Sequence, residues 1–379
     1  MRIIHAVDCS IQDYHGVSTY MHELIVSSEN RGDEVLVLCN TPVYKSNLRP
    51  INYKGVVKEY KSVKVPGKPK FQASIRFGLT KTIHEFNPDL IWMHSIGTLC
   101  TKIAKIAKGK YNLVYTKHSF DAELWALYLN VPKPFQWILN RSADAFEKTI
   151  ADASSFFVYH IRDIKKVENK SYFNKFLQFN PPIQSRYFEN RSEKPLEKNK
   201  LTFGFCGRCE LDKGIEDTYV GLTMFKEKHP EIEIEFYMIG DGPVAKTLPA
   251  KYPSISTTVT GYISDVIPYL DKLDGFILSS KHETTSLSSL EAFSRGIPVF
   301  SLPIGYLSEL KDIENFYLFK NNNELVAMLE KVFLEEKKSR KIPPANMLSK
   351  LTISYPDLLE TVIRKVKEKN NSLSATVGH

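Results

Sequence analysis

No run in this 379-residue sequence approaches the ~18 apolar residues of a membrane-spanning helix. Cysteine is sparse: Cys9, Cys39, Cys100, Cys206 and Cys209 are scattered and odd in number. That excludes a dense disulfide framework and suits a reducing cytoplasm. The start, Met1-Arg2-Ile3-Ile4-His5-Ala6-Val7-Asp8, turns polar too soon for a signal peptide and reads as a first strand. Gly-x-Gly-x-x-Gly and Gly-x-x-x-x-Gly-Lys-Ser/Thr are both missing, so neither a dinucleotide fingerprint nor a P-loop is expected. Cys206-x-x-Cys209 has no second Cys pair and no His-x-x-x-His, which leaves a zinc or redox role as the minor reading.

What is present describes a globular chain with ample core: 42% hydrophobic and 25% charged residues, at a length that suggests two domains. The net charge of +8 is unevenly placed. Between positions 41 and 82 stand ten cations (Lys45, Arg49, Lys54, Lys58, Lys61, Lys64, Lys68, Lys70, Arg76 and Lys81) against one acid, Glu59. Lys102, Lys105, Lys108 and Lys110 recur along a helix that carries Leu99, Ile103 and Ile106 on its other faces. Such runs are either solvated faces or footprints for an anionic partner, and two of them in one half keep the partner open.

Apolar strands at 3–7, 34–38, 88–94, 113–118 and 154–159 alternate with helices at 17–30, 75–85 and the basic helix after Gly97. Helical material is expected from 122 to 151, and the Lys-rich stretch after 41 reads as irregular. The segment Asn180-Pro181-Pro182-Ile183 and the charged 191–200 read as a linker. A second cycle then opens: strands at 201–206, 233–239, 256–260 and 275–278, with helices at 216–229 and 265–273. Helices at 323–336 and 356–367 follow, and a tail beyond Asn370 is expected to be disordered. Alternation of this kind implies two doubly wound parallel sheets.

Two stretches concentrate candidate chemistry. In Gly207-Arg208-Cys209-Glu210-Leu211-Asp212-Lys213-Gly214 a tight turn sets two cations at the top edge of a sheet, suited to a diphosphate. In the other, strand 275–278 runs into Ser279-Ser280-Lys281-His282-Glu283-Thr284-Thr285-Ser286-Leu287 and a helix ended by Gly296 and Pro298. Ligands of open α/β sheets sit outside the carboxyl ends of strands, where the next helix offers N–H groups to an anion. Glu283 and Glu291 frame that spot. A loop Glu and a surface helix Glu are the bland alternative. His118 ends a strand and is placed for ligand contact or for a structural hydrogen bond. Glu231, Glu233 and Glu235 alternate with Ile232, Ile234 and Phe236 as the outward face of a strand.

Taken in order, Gly207-Arg208…Lys213-Gly214, Gly240-Asp241-Gly242-Pro243, Glu283 with seven residues before Glu291-Ala292, and Gly296-x-Pro298-Val299 resemble family 4 retaining glycosyltransferases of the GT-B fold. Gly16, Arg31-Gly32-Asp33-Glu34-Val35, Asn87-Pro88-Asp89 and His118 add weaker matches. The resemblance implies two Rossmann-like domains with parallel sheets facing across a cleft. Residues 1–185 would be acceptor-binding, 200–350 would bind the nucleotide-sugar, and a helix at 355–369 would cross back to the first domain. It implies retaining transfer from a UDP- or GDP-sugar, with no further cofactor, to a glycan or lipid-linked acceptor in surface polysaccharide or glycolipid assembly. Arg208 and Lys213 would hold the diphosphate, and Glu283, beside Thr284, Thr285, Ser286 and Leu287, the sugar. Glu291 would take the ribose, Gly16 would admit the β-phosphate, and His118 would contact the sugar. Thr284-Thr285-Ser286 and the single Gly16 depart from the glycine-richer family pattern.

Asp-x-Asp, by which many sugar transferases hold a metal, is absent, so metal-independent transfer is expected. Three alternatives stay open: a non-catalytic GT-B assembly subunit, a nucleotide-sugar epimerase, and a DNA glucosyltransferase. A nucleic acid partner is disfavoured. The basic segments suggest peripheral attachment to an anionic cytoplasmic membrane surface.

Overall fold

The computed structural model describes residues 1–13, 16–42, 48–65, 68–118, 132, 136–160, 168–197, 199–337 and 339–377. The chain divides into two compact units. One gathers Met1–His160, Ile164–Phe179 and Ser354–His379; the other gathers Ile161–Asp163 and Asn180–Ile353.

The first unit is built on seven strands in the order β3-β2-β1-β6-β7-β8-β9, every pair parallel. These are β1 (Arg2–Ala6), β2 (Glu34–Asn40), β3 (Val56–Tyr60), β6 (Leu90–Met93), β7 (Asn112–Lys117), β8 (Phe156–Tyr159) and β9 (Phe176–Gln178). The central strands read as near-continuous apolar runs because helices cover both faces, and Ile3, Ile4, Leu90, Ile91, Trp92 and Met93 are all fully buried. Strand order reverses between β1 and β6, which makes their carboxyl ends a topological switch point.

Two expectations fail here and a third is tested only in part. The Lys-rich stretch is not irregular: it pairs β3 onto β2 and then forms an antiparallel hairpin, β4 (Ser62–Val65) with β5 (Lys68–Ser74). Alternation such as Val63 and Val65 around Lys64 is enough for a strand once a partner is present. The helix expected from 75 starts only at Leu79, after Gly78 turns into the left-handed region (φ 74°), and runs to Phe86. Helical material before Gln136 lies outside the described residues, and Gln136–Ala153 is helical.

The second unit repeats the pattern with six strands ordered β13-β12-β11-β14-β15-β16. They are β11 (Lys200–Cys206), β12 (Glu233–Ile239), β13 (Ser256–Val259), β14 (Gly275–Leu278), β15 (Val299–Ser301) and β16 (Phe316–Leu318), again all parallel. Its switch point lies between β11 and β14. Glu233 is exposed and Ile234 and Phe236 are buried, as the alternation implies. The helix expected over 265–273 is one turn, Ile267–Leu270, with Pro268 at its start. The helix from Asn322 to Leu329 continues into a π-helical stretch, Glu330–Glu335.

The charged stretch read as a linker is pinned to the second unit. Arg191 donates to the Ser294 carbonyl (3.1 Å), and Lys194 reaches Asp274 (2.8 Å). Arg295, almost fully buried, forks onto Asp271 (2.8 and 2.7 Å) and donates to the carbonyls of Glu189 and Asn190. Arg340, also buried, shares Asp271 at 3.0 Å. Composition marked a linker because it sees charge and not the partners that neutralise it.

After Ile353 the chain returns to the first unit as the helix Tyr355–Val377. Leu358, Leu359, Val362, Ile363 and Val366 form its buried stripe at helical spacing. Its backbone stays helical through Val377, so the disordered tail expected beyond Asn370 is corrected.

Candidate functional site

At the switch point of the second unit, the loop after β11 and the loop after β14 leave adjacent strands side by side. Their backbones interlock. Gly214 adopts φ 61° and lies so close to the Ser279 carbonyl that any Cβ would collide with it. Lys281 N–H donates to the Asp212 carbonyl (3.3 Å), and Thr218 and Ser279 hydroxyls meet at 2.8 Å. From the other side Gly305 (φ 50°) packs its Cα against the carbonyls of Glu283 and Thr284, and Tyr306 N–H donates to Thr284 (2.8 Å).

This clamp brings two of the sequence candidates into direct contact. Lys213 Nζ lies 2.6 Å from Glu283 Oε1, and each side chain is only about one-sixth exposed, at 15% and 16%. The pair spans 70 residues of sequence. Arg208 pairs with Glu210 at 2.8 Å in the same loop. Burial raises the Tyr262 hydroxyl, the charge of Asp241 raises it further, and that of Arg208 lowers it.

Thr284 and Thr285 complete the loop, and Ser286 enters the left-handed region (φ 49°, ψ 73°) directly before the helix Leu287–Ser294. A non-glycine residue held there stores strain of about 1–3 kcal/mol, and the Ser286 hydroxyl contact with Ser289 (2.9 Å) secures it. Leu287 packs against the core. Glu291 is half-buried on this helix, and burial first and its carboxylate second raise both the Tyr187 hydroxyl and the Cys206 thiol, the latter at the end of β11. Tyr187 was not singled out in the sequence. It sits in a short 3-10 turn whose role only the fold reveals.

Gly16 and His118 belong to the first unit. Gly16 opens the helix Gly16–Asn30, and a Cβ built on it meets nothing within 4 Å. Glycine there is not demanded by the packing of the protein itself. His118 follows β7 and stands edge-on to Tyr20, with ring centroids 4.6 Å apart at 83°. Sequence reading missed its neighbours. His94, His118 and His160 are each the first residue past β6, β7 and β8, and His5 lies on β1. His5 Nδ1 and His94 Nε2 are 3.2 Å apart, and burial holds His5 down at about 3 and His94 well below the usual imidazole range. The available signal was the recurrence of His directly after an apolar run.

Asp8, at the other side of this switch point, accepts from the Leu99 and Cys100 N–H groups (2.6 and 3.2 Å). Its carboxylate thereby occupies the N-terminus of the helix Thr98–Ala107.

Two parallel sheets of Rossmann-like strand order define a GT-B protein. Residues 14–166 match the family described as glycosyltransferase family 4, and residues 200–333 match glycosyl transferases group 1. The chain belongs to this family of glycosyltransferases. The sulfoquinovosyl transferase SQD2 of Arabidopsis thaliana is 25% identical over 316 residues, 74% of this chain and 55% of that protein. The chain thus spans about half the length of the curated relative it matches. The same fold occurs in sucrose-phosphate synthase of Thermosynechococcus elongatus (TM-score 0.68, 14% identity, all of both chains). It occurs again in the lipopolysaccharide outer core galactosyltransferase WaaB (TM-score 0.63, 17% identity, 99% of this chain and 100% of that one).

Proposed function

We propose that this protein is a retaining, metal-independent glycosyltransferase using a UDP- or GDP-sugar. The observation that carries the reading is the Lys213–Glu283 pair at the switch point of the second unit. A cation and a carboxylate side by side suit a ligand that is anionic at one end and rich in hydroxyls at the other.

In this reading Lys213 and Arg208 take the diphosphate, while Glu283 accepts from sugar hydroxyls and the neighbouring loop 284–287 closes the sugar end. Glu291 takes the ribose hydroxyls. Gly16 leaves the β-phosphate an open approach, and His118 contacts the sugar. The bond from the anomeric carbon to the β-phosphate oxygen breaks while an acceptor oxygen bonds to the same face. The acceptor's proton passes to the departing phosphate. Negative charge grows on that phosphate as the bond breaks, so Lys213 and Arg208 stabilise the transition state more than the bound donor.

A panel of nucleotide-sugars screened by thermal shift identifies the donor, because a bound donor stabilises the fold by mass action. Product anomer and chelator insensitivity then complete the test. Inverted product, or activity abolished by chelator and restored by a divalent ion, overturns the mechanism. No stabilisation by any nucleotide-sugar, with no donor hydrolysis, favours the non-catalytic assembly subunit.

The acceptor side is proposed to be lipid-linked at an anionic membrane surface. Phe77 is 93% exposed in the loop after the hairpin, Ile75 and Val63 are also exposed, and Lys61, Arg76 and Lys81 are near them in sequence. Exposed apolar side chains interspersed with cations suit insertion beside anionic headgroups, at about 1 kcal/mol per well-placed cation. Vesicles with and without anionic lipid distinguish this from a solvated face. Equal co-sedimentation at low salt removes the membrane from the reading.

A further inference from the structure

The histidines at the strand ends of the first unit are organised around one residue, Tyr20. It lies on the inner face of the helix Gly16–Asn30 and is 2% exposed. Its ring stands edge-on to His118 at 4.6 Å and meets Tyr355 at 5.5 Å. Its hydroxyl lies 3.0 Å from His160 Nε2.

The Phe179 carbonyl can only accept, and His160 Nδ1 faces it at 3.4 Å, so that nitrogen carries the proton. His160 Nε2 is then the acceptor, and the Tyr20 hydroxyl donates to it.

The two ends of the network have topological meaning. Phe179 is the last residue before the chain leaves the first unit at Asn180, and Tyr355 is the second residue after it returns at Ser354. Tyr355 packs directly on Tyr20, the residue that touches His118, and Phe179 is linked to Tyr20 through His160.

We propose that Tyr20 is a positioning residue for His118 and ties its orientation to the chain passages at Asn180 and at Ser354. The inference rests on the sugar-transfer reading of His118 and adds to it the residues that hold the imidazole. Tyr20 itself touches no reacting atom.

The test is a double-mutant comparison on the full chain. Tyr20→Phe keeps the ring and removes the hydroxyl that fixes it; kcat should fall several-fold to about tenfold, with donor KM within about twofold. Tyr20→Leu removes the ring edge, and its loss should approach that of His118→Ala. Tyr20→Leu/His118→Ala should be no worse than His118→Ala alone, because one orientation cannot be lost twice. Tyr355→Ala should show the same non-additivity with His118→Ala. Fully additive losses, or Tyr20 variants that lower Tm with kcat unchanged, overturn the proposal.

A second measurement separates it from the sugar-transfer reading. In donor-free protein, the His118 ring nitrogen resonances should move on Tyr20→Phe substitution, which preserves the core volume. Unchanged His118 resonances overturn the positioning role even if transfer is confirmed. Moved resonances in a protein that turns over no donor leave the network standing and sink the sugar-transfer reading instead.

Discussion

Both units wind their sheets in the same order, three strands one way from the first and the rest the other, yet they dress the strand ends in opposite chemistry. In the first unit the switch-point region buries neutral imidazoles and aromatic rings: His5, Trp92, His94, Tyr20 and His160. In the second it holds opposite charges: Lys213 with Glu283 and Arg208 with Glu210. The contrast is not absolute, because Lys117 and Glu147 form a buried pair at 2.7 Å in the first unit. Identical topology therefore fixes where a site forms but not what it binds. In the proposed reaction the charged ends of the second unit meet both parts of the donor, Lys213 and Arg208 its diphosphate and Glu283 its sugar hydroxyls.

The comparison is sharpened by an accident of composition. All three tryptophans, Trp92, Trp125 and Trp137, fall within the first unit, so their emission reports its unfolding alone. Arg295→Ala removes a fork from Asp271, which keeps Arg340, and strips partners from the Glu189 and Asn190 carbonyls, and should cost about 1–3 kcal/mol. Calorimetry should show that loss in the second unit while the tryptophan transition stays in place. Arg295→Lys should recover little, since an ammonium cannot reproduce the fork. A tryptophan transition shifted as far as the calorimetric one would mean the units do not unfold separately.

Lys213→Ala should lower kcat by about 10²–10³-fold, the scale of removing one preorganised stabilising group. Glu291→Ala should instead raise donor KM, about tenfold, because ribose hydroxyls change little during transfer. Near-normal turnover in Lys213→Ala breaks the charged half of the comparison.

Acid should attack the neutral half. Burial lowers His5 to about 3 and, with Arg49 beside it, His22 to about 4; burial also lowers His94. Unfolded, each titrates near 6.5. Their contribution is complete above that value and is lost as pH falls from about 6.5 toward the folded values, because the unfolded chain takes up protons first. At pH 5 the loss should be about 2 kcal/mol per histidine. Tryptophan-detected stability measured between pH 7.5 and 5 checks this. A first unit equally stable at both ends would show that its imidazoles are not held neutral.

Much of the fold was legible in the chain. Apolar runs such as 34–38 and 275–278, separated by helical stretches, marked buried parallel strands, and Gly296 and Pro298 marked the end of the helix after Glu283. The Lys-rich stretch misled because charge density hides a strand whose partner is distant in space. The linker reading failed for the reverse reason, since Arg191 and Lys194 look solvated until Ser294 and Asp274 are known to lie beside them. Of the candidate residues, His118 stood out at a strand end. His94 and His160 carried the same local signal, and only the adjacency of β6, β7 and β8 makes the three one feature.

The sequence by itself determined the alternation of strands and helices and the turns that glycine and proline enforce. These depend on residues within a few positions of each other, where backbone sterics and side-chain period act directly. Only the tertiary structure decided that Lys213 meets Glu283, that Arg295 and Arg340 share Asp271, and that Tyr20 gathers His118, His160 and Tyr355. Each of these pairings joins residues dozens to hundreds of positions apart. Such distances close only when strand order sets which loops become neighbours, and no local pattern encodes that order.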